Sequence, residues 1–308
     1  IGCDLRPGVI HTAHRARLAP AFKAEVEHLA RGYGYETGYL DRPALRDLID
    51  SPAYHAAIID PGAAHIHPLN YALGLARAAA GAGVRVYEMS EATAIERGAR
   101  PVVRTNAGAV SADHVLLACN GYLGGLAPEI AARVMPINNF IIATEPLAED
   151  RARSLIGNDM AVADSKFVVN YYRLSADRRL LFGGRESYGY RFPVDIKGFV
   201  RKAMLEIYPQ LADARIDYGW GGTLAITMNR MPHLARLGPA ILSASGYSGH
   251  GVAMATLAGK LAAEAIAGQA EKFDLLAAVP SPRFPGGARL RSPLLALAML
   301  WYSLRDRI

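Results

Sequence analysis

The residues with the clearest chemical capacity lie late in the chain. The stretch Gly246-Tyr-Ser-Gly-His-Gly251 places three glycines in six residues, between the apolar run Ala240–Ser245 and an alanine-rich helical pattern that continues to Ile266. Strand, glycine loop and helix start, in that order, present backbone N–H groups and the positive end of a helix to an anionic group. The spacing is GxxGxG, not the GxGxxG of a dinucleotide cradle. The alternative is ordinary packing of a helix on a sheet. Gly259, inside the helical pattern, argues for the close approach of a backbone or a flat ligand, because a mid-helix glycine costs roughly 1 kcal/mol against alanine. A second pair, His65 and His67, has a spacing that two strand ligands of a metal could use, but the sequence offers it no third ligand, so no metal is expected.

The elements that must position these residues alternate from the start. "VIHTAH" (9–14) reads as a strand, and 16–34 carries apolar residues at Phe22, Val26, Leu29 and Ala30, a helical spacing ended by glycines. "HAAIID" (55–60) reads as a strand closed by Pro61 and Gly62. A helix then begins near Pro68, runs to Gly81 and Gly83, and is followed by "VRVYE" (84–88) as a strand. From Ala92 to Cys119 the text is β, broken by glycine turns. Residues 135–220 alternate more strongly, in "NNFIIATEP", "FVVNYYRL", "RLLFGG" and "IDYGWGG", with one helix over 194–211. After Arg230 small-residue α/β text returns. A strand-rich middle flanked by such text predicts two interleaved domains, one of them discontinuous.

Composition bounds the function. With 308 residues, 51% hydrophobic and 20% charged, the chain can bury a large core and is not disordered. Its formal charge of +6 is scattered, without a basic cluster interleaved with stacking aromatics, which argues against nucleic acid. Cys3 and Cys119, the two cysteines, match neither a disulfide framework nor a metal pattern, and a reducing cytoplasm is the default expectation. The apolar run Pro293–Leu304 is too short to span a bilayer.

The motifs taken in order, "HIHPLNYALGLARAAAGAGVRVYE", "LLACNGYLGGLAPEI", "IATEPL", "NYYRLSADRRLLFGG", "IDYGWGG", "SASGYSGHGVAMATLAGKLAAEAIAGQAEKFD" and "RFPGGARLRSPLLALAMLWYSLRDRI", resemble the D-amino-acid-oxidase-type flavoprotein superfamily, most of all its gamma-glutamylputrescine oxidase branch. The resemblance covers essentially the whole chain. It implies an α/β and α+β architecture: a doubly wound FAD-binding domain (64–125 and 231–270) interleaved with an antiparallel-sheet substrate domain (1–63 and 126–230), and a C-terminal extension (271–308). It also implies that Gly246, Tyr247, Ser248, Gly249, His250, Gly251 and Val252 wrap the flavin, with the helix start aimed at the pyrimidine end, where charge develops on reduction. Tyr247 and His250 are the side chains expected nearest the ring. Cys119, Asn120 and Gly121 would form a turn passing the cofactor, and Ala92 would meet the adenine. Relatives carry an N-terminal strand, GxGxxG turn and helix followed by an acidic residue; no such unit is found in these 308 residues, so the first unit is expected to be missing.

The same resemblance implies a non-covalent FAD, since no cysteine follows Cys119, and an amine substrate oxidised with oxygen as acceptor. Relatives that act on amino acids carry an arginine soon after the tryptophan-containing strand; here Thr223 or Leu224 stands at that place, so an α-carboxylate would go unpaired. Tyr171, Tyr172, Tyr188, Tyr190 and Trp220 could form a box that takes an alkyl amine by apolar and cation–π contact, or could simply pack a sheet. Arg191 matches a cationic position that helps oxygen react, and His250 is the other candidate catalytic group. The expected reaction is oxidation of a primary amine such as gamma-glutamylputrescine to an aldehyde, ammonia and hydrogen peroxide. The alternatives are an oxidase of N-methyl or D-amino acids and a non-catalytic remnant of the fold.

Overall fold

Each strand alternates its side chains between two faces, so the register of strand pairs sorts residues into core and site. A computed structural model describes residues 1–187 and 191–287; Tyr188, Tyr190 and the run 293–304 lie outside the described residues. The strands are β1 (Arg6–Ala13), β2 (Gly38–Leu40), β3 (Ala56–His65), β4 (Ala92–Glu96), β5 (Val102–Thr105), β6 (Ala109–Ser111) and β7 (Val115–Leu117). They continue as β8 (Met135–Thr144), β9 (Ala161–Asp164), β10 (Tyr171–Leu174), β11 (Leu180–Ser187), β12 (Ile216–Ile226), β13 (His233–Arg236) and β14 (Ile241–Ser245). The helices are α1 (Ala19–Tyr33), α2 (Arg42–Leu48), α3 (Pro68–Gly81), α4 (Pro128–Ala131), α5 (Glu149–Leu155), α6 (Ile196–Ile207), α7 (Gly251–Ile266) and α8 (Glu271–Ala277).

The class is mixed α/β. One sheet has eight strands in the order β12-β8-β11-β10-β9-β1-β3-β2. It is antiparallel except where β1 runs parallel to β9. A second sheet, β13-β14-β7, pairs β14 with β7 in parallel, and a third, β4-β5-β6, is an antiparallel meander. One face of the large sheet is the main core: Ile10, Ala57, Phe140, Ile142, Val162, Tyr172, Leu180 and Phe182 pack with Leu45 of α2, Leu155 of α5 and Met204 of α6. Its opposite face carries no residue of that cluster among Tyr171, Ala163 and His11. That is the face on which a site can form.

Three expectations about strands are corrected. β3 does not stop at Pro61 and Gly62. A bulge in the β1–β3 register between Pro7 and Val9 takes the proline out of the ladder, and Asp60 Oδ1 accepts the N–H groups of Gly62 and Ala63, both at 3.0 Å. "FVVNYYRL" is a strand only from Tyr171, because Asp164 Oδ1 gathers the N–H groups of Lys166 and Asn170 into a turn. Val84–Glu88 forms no strand. It has no ladder partner among the described residues, and Val84, Val86 and Tyr87 are exposed.

Candidate functional site

A single row of residues crosses all eight strands of the large sheet. Taken through successive register pairs it reads Trp220, Ile141, Gly183, Tyr171, Ala163, His11, Ile58 and Tyr39. Opposed residues share a face, with strands about 4.8 Å apart. Gly183 leaves the space into which the Tyr171 ring leans, since a Cβ there would overlap the ring. The Tyr171 hydroxyl donates to Asn139 Oδ1, and burial raises its pKa far above the ordinary phenol value. Between Tyr171 and His11 the floor is only Ala163. A shallow slot results, with an aromatic wall on one side and an imidazole on the other.

His11 was not singled out by sequence. In "VIHTA" it is one more alternating residue, and nothing local says that the face opposite Ile10 is the functional one. Its imidazole retains an exposed edge, yet surrounding atoms lower its pKa by desolvation; His250 adds to the lowering, while Asp60 and Glu25 oppose it. The His250 contribution links the glycine loop electrostatically to this imidazole.

The aromatic box is corrected by the same alternation. Tyr171 and Tyr172 are adjacent, so they point to opposite faces. Tyr172 is 3% exposed, stacked on Phe182 at 5.4 Å and edge-on to Tyr208 at 5.4 Å, all within the core. It cannot touch a substrate on the other face. Trp220 does lie in the site row, 43% exposed. The positions of Tyr188 and Tyr190 fall outside the described residues.

The glycine loop and the Cys119–Gly121 turn come together over the end of β12. Ser248 donates its N–H to Ala225 O at 3.0 Å, and its hydroxyl accepts the N–H of Thr227 at 3.2 Å. Gly246 donates to Asn120 Oδ1 at 3.2 Å. Three of the four loop positions 246–249 have positive φ: Gly246 at 71°, Ser248 at 52° and Gly249 at 97°. A Cβ on Gly246 would meet Thr227 and Val134, so the loop lies flat against β12 and needs glycine there twice over.

The loop fits the electron-rich end of a flavin. The first helical bond of α7 is Met254 N–H to His250 O, so the N–H groups of Gly251, Val252 and Ala253 precede the ladder, and His250 makes no side-chain cap. A Cβ on Gly249 would meet nothing within 4 Å, so the approach is open. One expectation is corrected here: the Tyr247 ring is 6% exposed in a cluster with Leu234, Leu242, Leu261 and Phe273, so only its backbone is available to the cofactor. His250, by contrast, is exposed at the helix start.

The remaining candidates are dispersed. Cys119 is half-buried, its thiol pKa raised by burial. Ala92 begins β4, next to a bulge, in the small meander. Thr223 and Leu224 are occupied structurally: Thr223 Oγ1 donates to Asn138 Oδ1 at 2.9 Å and its N–H donates to the Tyr122 hydroxyl at 2.9 Å, while the Leu224 carbonyl packs on Gly121. Asn138 donates onward to the Ser187 hydroxyl, which donates to Arg191 O, so Arg191 sits beyond the Thr223 end of the sheet with an exposed side chain. His65 Nε2 bonds Asp159 O at 3.0 Å, and His67 has left the strand to cap α3, its Nδ1 accepting from Asn70 N–H. No cluster of three metal-ligating side chains occurs among the described residues, and no helix among them is long and apolar enough to cross a membrane.

Comparison with known proteins accounts for this arrangement. A family model described as FAD dependent oxidoreductase (DAO) matches residues 1–265. "Probable oxidoreductase OrdL" of Rhizobium meliloti is 45% identical over 309 residues, covering 100% of this chain and 72% of that protein. "Gamma-glutamylputrescine oxidoreductase" of Escherichia coli is 43% identical with the same coverage. Among solved structures, glycine oxidase from Geobacillus kaustophilus superposes with a TM-score of 0.76 at 21% identity, covering 89% of this chain and 74% of that one. L-proline dehydrogenase from P. horikoshii gives 0.72 at 21% identity, covering 86% and 73%. With a family match over most of its length, relatives above 40% identity and a glycine loop whose free N–H groups suit a flavin, the chain belongs to the DAO family of FAD-dependent oxidoreductases.

Proposed function

We propose that this enzyme oxidises a primary amine of the gamma-glutamylputrescine type to an imine, which water hydrolyses to an aldehyde and ammonia, with oxygen as the electron acceptor reduced to hydrogen peroxide. The observation that carries the reading is the slot between Tyr171 and His11, with no cation at Thr223 or Leu224 to pair an α-carboxylate. FAD, when bound, supplies the acceptor for the hydride that leaves the carbon beside the nitrogen. The protein's residues do the rest. Tyr171 and Trp220 give an apolar, π-rich surface to the alkyl chain. His11, neutral above its lowered pKa, takes the proton from the substrate ammonium, since only the free amine can lose hydride. The α7 start, with His250 exposed beside it, offers N–H groups to the charge that grows on reduction. Arg191 holds a positive charge near the same end of the sheet.

Peroxide-coupled turnover tests the reading. A γ-glutamyl or acyl derivative of putrescine should be used at least about tenfold better, in kcat/KM, than sarcosine, glycine or D-alanine, the difference of one unpaired carboxylate. In His11→Gln the acid limb of the kcat/KM profile should lose the step through the His11 pKa, because the parent loses its base as pH falls through that value. Equal or faster turnover of the amino acids would establish the competing reading, an oxidase of N-methyl or D-amino acids.

The flavin is expected to be held without a covalent bond. Cys119, the cysteine nearest the loop, has its thiolate disfavoured by burial, which makes it a poor nucleophile. Acid precipitation of the yellow protein should leave the flavin in the supernatant. Colour retained in the washed pellet would reverse this.

A further inference from the structure

The slot has a second row. One pleat further from the glycine loop, the same face carries Tyr218, Ala143, Leu181 and Arg173 through successive register pairs, and on the other side of β9 it carries Ala161, Val9 and Asp60. Arg173 stands two residues beyond Tyr171 on β10, as Val9 stands two before His11 on β1. Between them the floor is again alanine, Ala161. The slot therefore continues along the strands, walled by Tyr171 and Arg173 on one side and by His11 and Val9 on the other.

Direction matters here. The glycine loop is tied to Ala225 and Thr227, the late end of β12. Following the register across the sheet, that end corresponds to the residues before Tyr171 and after His11. Arg173 lies on the opposite side of the Tyr171–His11 row, about 7 Å further on. An anion held there belongs to the far end of a substrate, not to the carbon that reacts.

The electrostatics of the Arg173 neighbourhood are unfinished. Nearby, Arg6 takes both carboxylates: its Nε bonds Asp4 Oδ1 at 3.1 Å and its Nη1 pairs with Asp159 Oδ2. His65 occupies Asp159 O. Arg173 is partly buried, makes one hydrogen bond, to Leu174 O at 3.1 Å, and no ion pair among the described residues. Desolvation and Arg6 lower its pKa, with Asp4 and Asp159 opposing at longer range. A guanidinium withdrawn from water beside carboxylates already committed to another arginine lacks the partner that such groups normally find.

We infer that Arg173 binds a carboxylate at the distal end of the amine substrate, making this slot selective for primary amines that carry an anionic group at least one strand row away from the nitrogen. The inference rests on the amine-oxidase reading above. It assigns Arg173 to substrate selection, a role distinct from that of His11.

The test compares two primary amines in the FAD-loaded enzyme: gamma-glutamylputrescine, whose far end carries a carboxylate beside an ammonium, and N-acetylputrescine, whose far end carries neither charge. The parent should favour the first by about 10- to 100-fold in kcat/KM, the worth of a charge-assisted hydrogen bond. Arg173→Gln should bring that ratio to within about twofold of unity through a rise in KM for gamma-glutamylputrescine. Arg173→Lys, which keeps the charge without the fork, should recover part of it. Glutarate, an anion with no amine, should perturb the flavin absorbance of the parent at tenfold lower concentration than in Arg173→Gln. Turnover of both amines with equal kcat/KM in the parent, or a ratio and a glutarate response unchanged in Arg173→Gln with its flavin spectrum intact, overturns the inference and leaves the amine-oxidase reading standing. Failure of the parent to oxidise either amine overturns both.

Discussion

Gly121→Ala is expected to lower stability by about 2–3 kcal/mol and to weaken flavin retention by at least tenfold. A Cβ at this position would be driven into the backbone carbonyl of Thr223, with Leu224 O at 2.8 Å and the Thr223 carbonyl carbon at 2.9 Å. These atoms belong to β12, whose residues from Ile216 to Ile226 are laddered to β8, so they cannot swing aside as a side-chain tip would. Relief has to come from the turn. Asn120, at φ 46°, is the residue whose Oδ1 accepts the Gly246 N–H, so lifting the turn also releases the glycine loop from one of its anchors. Gly125→Ala is the matched control, because a Cβ there meets nothing within 4 Å and its φ is not positive. Urea denaturation and FAD titration of both variants check the expectation. Identical behaviour of the two would show that the turn does not transmit to the loop.

The second large effect separates two neighbouring tyrosines. Tyr172→Ala should cost about 3–5 kcal/mol, the loss of a fully buried aromatic ring and its contacts. The ring is stacked on Phe182 and set edge-on to Tyr208, whose hydroxyl in turn donates to Leu155 O at 2.8 Å, so the cavity would open in the middle of the main core. Tyr172→Phe keeps that packing and should stay within about 1 kcal/mol. Tyr171→Phe should change stability little and activity more. It removes the donor to Asn139 Oδ1 and alters the wall of the slot, with an expected three- to tenfold fall in kcat/KM for the amine, roughly the worth of one hydrogen bond. Thermal unfolding and steady-state kinetics on the three variants distinguish the roles. A stable Tyr172→Ala enzyme with impaired substrate use would place Tyr172 in the site after all.

Much of the local structure was readable from residue order. Pro68 at a helix start and Gly34 at a helix end follow from the fixed φ of proline and the freedom of glycine, and both are found where those rules put them. The glycine loop between β14 and α7 was legible for the same reason, because Gly246 and Gly249 adopt positive φ angles that most residues avoid. The limits appear where a residue's role depends on a partner remote in sequence. "VRVYE" has strand composition but no ladder neighbour. "FVVN" has it too, yet the Asp164 carboxylate competes for its backbone and wins. His67 has ligand chemistry but spends its lone pair on Asn70 N–H.

For the site, the sequence by itself determined the glycine loop and the chemical character of its neighbours: the histidine at position 250, the small turn at Asn120 and Gly121, the tyrosine pair and the absence of arginine at Thr223 and Leu224. Those features follow from residue type and short-range geometry. It did not determine which tyrosine lies on the face opposite the core, because adjacent strand residues are equivalent until one face is buried, and burial here is decided by α2, α5 and α6 packing against Tyr172 and its row. Nor did it reveal His11 and Arg173. They stand on strands 160 or so residues apart in sequence, joined through the parallel β1–β9 pair, and only strand register places them across one alanine floor. A slot built from single residues of different strands has no sequence spacing of its own; its geometry exists only once the sheet has closed.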